Sequence, residues 1–228
     1  MMLIDTEKLN KQFADMQAQD IIEFCLKKIF FKKISYVCSF GAESAVMLDL
    51  ISKINNGVPI IFLNTLKLFD ETLSYKNILL KKFNLKNVIE LYPNKSDVEK
   101  YDSNENLWSE NPDLCCELRK VKPLNISLKG FDAWFSGRKS YHGQSRSLNK
   151  YIEIQDDKYI ISPLLKWKNE DIKSYFQKKN IEKHPLVQKG YLSIGCQNCT
   201  VKTSKKNDVR SGRWSGLEKT ECGIFKKN

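Results

Sequence analysis

Short apolar runs of strand length alternate with amphipathic stretches of helix length, and this alternation restricts the fold more than any other feature of the chain. Ile34 to Ser39 reads as a buried strand, followed by a turn at Gly41 and a helix carrying Val46, Met47, Leu50 and Ile51. Val58 to Leu63 is a second apolar run, Phe69 to Phe83 a second amphipathic helix and Asn87 to Tyr92 a third strand. Phe131 to Ser136 predicts a later strand and Trp167 to Lys179 a later helix. Ahead of them, Lys11 to Lys28 predicts a leading helix with Phe13, Met16, Ile21, Phe24 and Leu26. The expected class is α/β: an open, mostly parallel sheet with helices on both faces. Ligands of such sheets sit beyond the carboxyl ends of strands. That draws attention to Ser39-Phe-Gly-Ala-Glu-Ser44, where a helix N-terminus offers backbone N–H groups to an anion. The turn lacks Gly-Lys-Ser/Thr and is no Walker A loop; taken alone, it is also what an ordinary strand-to-helix connection looks like.

The cysteines carry the second signal. Cys115-Cys116 and Cys196-Gln-Asn-Cys199 form two pairs, and Cys222 is left over near the end in Lys219-Thr-Glu-Cys222-Gly. Two pairs plus one suit a metal or cluster site with a separate thiol. Four thiolates serve a tetrahedral zinc or an iron–sulfur cubane. Adjacent cysteines fit one metal ion poorly, whereas a cubane gives each its own iron. Cys222 by itself reads as an inert terminal thiol or as a nucleophile on a tail. Cys25 and Cys38 lie in apolar stretches and are expected to be structural.

At 228 residues the chain can bury one substantial core, and no repeat, low-complexity tract or Ser/Gly linker divides it, so a single domain is expected over 1–228. A formal charge of +11 implies an anionic partner without choosing among nucleic acid, nucleotide and membrane. The odd count of seven cysteines argues against a fully paired secreted scaffold. The start, Met-Met-Leu-Ile-Asp-Thr-Glu-Lys, is polar and acidic with no apolar signal region, and no apolar run approaches a membrane span. A reducing compartment, the cytoplasm, is expected.

With these features in hand, the chain resembles the assimilatory sulfonucleotide reductases, the phosphoadenylyl-sulfate and adenylyl-sulfate reductase family. Ser39-Phe-Gly-Ala-Glu-Ser44 is similar to that family's modified pyrophosphate loop, and Leu63-Asn-Thr-Leu-Lys-Leu-Phe-Asp-Glu-Thr72 to its Leu-Asp-Thr segment. Trp134-Phe-Ser-Gly-Arg138-Lys139 looks like its basic region, and the stretch from His184-Pro-Leu to Gly-Cys196-Gln-Asn-Cys199-Thr200 is a long diagnostic match. Arg210-Ser-Gly-Arg213-Trp214, then Lys219-Thr-Glu-Cys222-Gly, is similar to its C-terminal signature.

The resemblance implies an adenine nucleotide alpha hydrolase-like fold ending in a mobile catalytic tail from about residue 206 to 228. It implies a [4Fe-4S] cluster on Cys115, Cys116, Cys196 and Cys199, because the adenylyl-sulfate branch carries all four cysteines. It implies thioredoxin-dependent reduction of adenylyl sulfate to sulfite and AMP, with Cys222 as nucleophile and an S-sulfocysteine intermediate. Ser39, Gly41, Lys120, Arg138, Arg210 and Arg213 are the expected substrate contacts. Lys120 follows Cys116 by four residues, which on a helix turns it toward the cluster-bearing segment. Partners are then adenylyl sulfate and thioredoxin or an equivalent dithiol, with no nucleic acid and no membrane; a homo-oligomer is compatible. The alternatives are a phosphoadenylyl-sulfate reductase and a zinc-stabilised nucleic-acid-binding or tRNA-modifying protein.

Three positions depart from the pattern: Phe225 where a histidine is common, Asn64 for an acidic residue, and Ser44 for aspartate. His184 reads as loop packing or as a ligand contact, and Trp134, Trp167 and Trp214 as packing.

Overall fold

The computed structural model describes residues 4–142, 149–203 and 208–225. The start of the expected tail, residues 206–207, and its last residues, 226–228, lie outside these. Among the described residues six strands form one sheet in the order β3-β2-β1-β4-β6-β5. They are β1 (Ile34–Cys38), β2 (Ile60–Leu63), β3 (Val88–Leu91), β4 (Ala133–Phe135), β5 (Ile152–Gln155) and β6 (Lys158–Ile161). Every pairing is parallel except that of β5 with β6. That hairpin is absent from the sequence reading, which found no strand there.

Strand periodicity explains why both faces are covered. Ile34, Tyr36, Ile60, Phe62, Ala133, Phe135, Tyr159 and Ile161 point into the larger core, while Ile61, Trp134 and Ile160 point into the smaller one on the opposite face. The larger core takes α1 (Thr6–Ala14), α2 (Ala18–Phe24), α3 (Ser44–Ile54) and α4 (Asp70–Lys82), through Phe13, Ile21, Ile51 and Leu79 among others. Leu124 and Leu128 cover the smaller core. They belong to the last part of a helical run that begins with α5 (Lys95–Tyr101) and continues through α6 (Leu107–Glu110), α7 (Pro112–Cys116) and α8 (Lys122–Leu128). Two short helices follow the sheet, α9 (Asn169–Lys178) and α10 (Pro185–Gln188).

The leading helix is corrected. Helix α1 ends at Ala14, capped at Asp15, and α2 restarts at Ala18 before a π turn over Cys25–Ile29. A second π turn, Glu117–Val121, joins α7 to α8. It replaces the regular α-helix assumed when Lys120 was placed by its spacing from Cys116; single π turns of this kind recur at functional sites. No helix among the described residues is long and apolar enough to cross a membrane.

Candidate active site

The chain runs from β1 outward to β2 and β3, then returns to the other side of β1 as β4, so the crevice between the β1 and β4 carboxyl ends is the topological switch point. One broad pocket opens there. Its walls include Ser39, Gly41, Glu43 and Ser44 after β1, and Ser136, Arg138 and Lys139 after β4. Lys120, Arg210, Arg213 and Cys222 reach it from other elements. All seven residues expected to bind substrate or attack it therefore share one pocket, although they come from segments spread over most of the sequence.

In the loop after β1, the Ser39 hydroxyl accepts from the Gly41 N–H at 3.4 Å and stands 3.4 Å from the Ser44 hydroxyl, at the first turn of α3. The sequence reading missed what Glu43 does. Its carboxylate lies 2.6 Å from the Lys139 ammonium and 3.1 Å from His142 Nε2, and it accepts from the Tyr141 hydroxyl at 2.6 Å. Burial opposes ionisation of Glu43, yet Lys139 and His142 outweigh it and hold the carboxyl well below the usual range. Glu43 thus ties the loop after β4 to the loop after β1. Arg138 is buried, pairs with Glu153 of β5 and lies over the Phe225 ring, 4.1 Å from its centre.

Cys115, Cys116, Cys196 and Cys199 line a narrow cleft next to the pocket, with Lys67, Trp108, Arg119 and Lys120. All four are buried free thiols. Burial pushes Cys115 up to about 11 and Cys116 to about 12. Burial would raise Cys196 as well, but Lys120, the Thr65 hydroxyl at 3.3 Å and Arg213 outweigh it and lower this thiol. Arg119 is fixed from behind: its Nη2 donates to Asp102 at 2.5 Å and its Nη1 to the Thr65 carbonyl at 3.0 Å, with both charged side chains buried. Among the described residues no three His, Cys, Asp or Glu side chains are grouped as a single ion would require. Four cysteine sulfurs from two segments, with Lys67, Arg119 and Lys120 beside them, are a donor set that fits a polynuclear cluster, each sulfur serving its own iron and the cations partly neutralising the anionic assembly. Lys120 faces both cavities. Burial disfavours its charge, but Cys196, Cys222 and Cys116 together keep it protonated.

The C-terminal segment closes the pocket. Thr200 and Arg213 form a short antiparallel bridge, and the Trp214 N–H donates to the Cys199 carbonyl at 3.1 Å. Gly212 is required for this approach, since a Cβ there would run into the Val201 carbonyl. Trp214 is buried against Cys196 and Cys199, with Cys222 packed on the same cluster. Arg213 lies over the Trp214 ring at 4.3 Å and donates to the Cys199 carbonyl at 3.2 Å. Arg210 donates to the Thr220 carbonyl at 2.7 Å and to Glu221 at 3.3 Å, two residues and one residue before Cys222.

Other expectations resolve simply. Cys25 and Cys38 are core. His184 is packing: it is fully buried, its Nε2 lies 3.0 Å from the Thr72 hydroxyl, and its Nδ1 accepts from the Leu186 N–H. Asn64, in the acidic position, accepts from the Leu66 N–H and donates to Glu90 at 2.7 Å, so it shapes the turn after β2.

Residues 33–202 match the model of the phosphoadenosine phosphosulfate reductase domain. The chain belongs to that family. Adenosine 5′-phosphosulfate reductase of Mesorhizobium japonicum is 39% identical over 95% of this chain and 85% of its own length. Adenosine 5′-phosphosulfate reductase 2 of Bacillus subtilis is 38% identical over 97% of this chain and 95% of its own. Among solved structures, a phosphoadenylyl-sulfate reductase from Candida auris, in complex with phosphate, superposes with a TM-score of 0.76 at 26% identity, covering 88% of this chain and 99% of that one. FMN adenylyltransferase from Candida glabrata shares the fold, with a TM-score of 0.59 at 15% identity over 94% of this chain and 82% of that one. The family member is an oxidoreductase with the α/β sheet that the alternation of strands and helices predicts.

Proposed function

We propose that this chain reduces adenylyl sulfate (adenosine 5′-phosphosulfate) to sulfite and AMP in assimilatory sulfate reduction, with Cys222 as nucleophile and thioredoxin or an equivalent dithiol as reductant. The observation that carries this reading is the position of Cys222: a half-buried thiol in the same pocket as Lys120, Arg210, Arg213 and the β1 loop. The relatives named above, similar over nearly the whole chain, supply the substrate class.

The anionic nucleotide enters beyond β1 and β4. Backbone N–H groups at the Gly41 turn and the Ser39 hydroxyl receive phosphate or sulfate oxygens, and the arginines offer paired N–H donors to the same oxyanions. These groups are held before substrate arrives, Arg213 by Trp214 and the Cys199 carbonyl, Arg138 by Glu153 and Phe225, so little reorganisation accompanies charge movement. The Cys222 thiolate attacks the sulfur, the S–O bond to the phosphate breaks, and AMP leaves with that electron pair. Sulfur now sits on Cys222 as a thiosulfonate. A dithiol then attacks the Cys222 sulfur, sulfite departs, and the resulting mixed disulfide is resolved by the reductant's second thiol, which returns Cys222 reduced.

Cys115, Cys116, Cys196 and Cys199 would hold a [4Fe-4S] cluster, which would supply a fixed charge to the cleft that Lys120 also lines. Reducing conditions, as in the cytoplasm, preserve both the cluster thiolates and Cys222.

The test is a single turnover without dithiol. Wild-type protein and adenylyl sulfate should yield about one AMP per active chain and a sulfonate on Cys222 by peptide mass spectrometry, as a covalent intermediate requires. Cys222→Ser should fold and bind nucleotide yet release no sulfite. An adduct on another cysteine, or turnover by the serine variant, overturns the assignment.

A further inference from the structure

Cys222 is pinned from both sides, and the two sides differ in kind. Upstream, Arg210 holds the Thr220 carbonyl, Lys219 pairs with Asp113, and Trp214 is buried between Cys196 and Cys199. These are several independent anchors. Downstream, among the described residues, Ile224 and Phe225 pack on the smaller core and one side-chain hydrogen bond holds the backbone. Phe225 stacks on the Trp134 indole with ring centres 5.3 Å apart and planes inclined by 29°, and the Arg138 guanidinium lies over the same ring, 4.1 Å from its centre. Gln155 of β5 donates to the Ile224 carbonyl at 3.0 Å.

The two walls of this seat are not adaptable. Trp134 is on β4, buried at 2% exposure in the smaller core, and Arg138 is anchored at its far end by Glu153. An aromatic ring held by a fixed indole and a fixed guanidinium gains stacking and cation–π attraction beyond its burial. Only Gly223 and Ile224 separate Phe225 from Cys222. Three residue steps of chain span at most about 11 Å, so the ring's position confines the thiol. Arg138 is one of the cations lining the pocket, and its guanidinium lies over the same ring that seats the tail.

We propose that Phe225 is the positioning residue of the closed tail. Clamped by Trp134 and Arg138, it holds Cys222 in the pocket, and release of this clamp, with the Gln155 bond beside it, is the event that presents the Cys222 sulfur to an outside thiol. The downstream end is the one that opens, because the upstream end shares its anchors with the cysteine cleft. The clamp rests on the packing of the tail and not on the reaction assigned to Cys222, so its test reads thiol access alone.

The experiment is alkylation of the full chain by iodoacetamide without nucleotide, with Cys222 and the core thiol Cys25 followed separately by peptide mass spectrometry. Phe225→Ala should raise the Cys222 rate about tenfold, equivalent to about 1.4 kcal/mol of clamp. Phe225→Tyr, which keeps both ring faces, should stay within about twofold of wild type. The Cys25 rate and the melting temperature should be unchanged. An unaltered Cys222 rate in Phe225→Ala, or equal increases in the Ala and Tyr variants, overturns the clamp. If Phe225→Ala also exposes Cys25, then Gln155→Ala decides: a selective rise at Cys222 supports the clamp, and none overturns it.

Discussion

The Arg213 guanidinium occupies the space where a side chain on Gly195 would begin. A methyl group there would overlap three guanidinium atoms at once, while the backbone of Gly195 itself needs no unusual conformation. Glycine at 195 is therefore a requirement of its neighbour. Gly195→Ala should leave the fold intact, because the clash falls on the end of a flexible side chain, and should displace Arg213 from Trp214. If Arg213 holds a desolvated oxyanion, nucleotide affinity should fall by about 1–3 kcal/mol, as in Arg213→Ala. The double variant should bind no worse than either single one, since both remove the same contact. Wild-type affinity in Gly195→Ala, measured by calorimetry with AMP, would free Arg213 from this role.

Asp102 and Arg119 form a buried pair whose cation reaches the Thr65 carbonyl, and the Thr65 hydroxyl in turn touches Cys196. Asp102→Asn would leave the Arg119 charge buried without its counter-ion. Removing one member of such a pair costs about 3–5 kcal/mol. The expected result is a large drop in denaturant midpoint with an unchanged slope. Replacing both members by apolar residues of similar volume should recover much of the loss. A midpoint within experimental error of wild type in Asp102→Asn would show that water reaches the pair.

The parallel part of the sheet was legible because its strands are continuous apolar runs, buried on both faces, with helices of clear period between them. The β5–β6 hairpin was not. Its turn is Asp156-Asp157, both residues in the left-handed region, a pairing less conspicuous than Asn-Gly or Asp-Gly although it is the same kind of two-residue turn. The helix break after Ala14 was hidden by apolar residues that continue on both sides of it. At the site, the motifs located the cations and the cysteines, but not what fixes them. Glu43 meets Lys139, Asp102 meets Arg119 and Trp134 meets Phe225 only because the topology brings distant segments together. Phe225 illustrates the limit best: in the sequence it is only a departure from a family pattern in which histidine is common, whereas in the fold it fills an aromatic seat.

The four-cysteine cleft makes a quantitative prediction for the purified protein. Anaerobic preparations should contain about four iron and four acid-labile sulfide per chain, the stoichiometry of one cubane. Serine at any one of positions 115, 116, 196 or 199 should lower both together, because a hydroxyl is a poorer iron ligand than a thiolate. One zinc per chain with no sulfide would reject the cluster.

His184 supplies a pH dependence of stability separable from the chemistry. Burial lowers its pKa from 6.5 to about 4, against a smaller opposing effect of Glu71. The sign follows from proton uptake: between these values the unfolded chain binds a proton that the folded chain refuses, so acidification favours unfolding. The contribution of neutral His184 is complete above pH 6.5 and lost as the pH falls toward 4, amounting to roughly 3 kcal/mol across that window. His184→Gln should lower stability at pH 7, since the ring no longer joins Thr72 to the N-terminus of α10, but the slope of stability against pH between 4 and 6.5 should flatten relative to wild type. Denaturant titrations of both proteins across that range test it directly. Equal slopes would mean that His184 protonates in the folded protein with little penalty, and the acid sensitivity would then belong to the carboxylates.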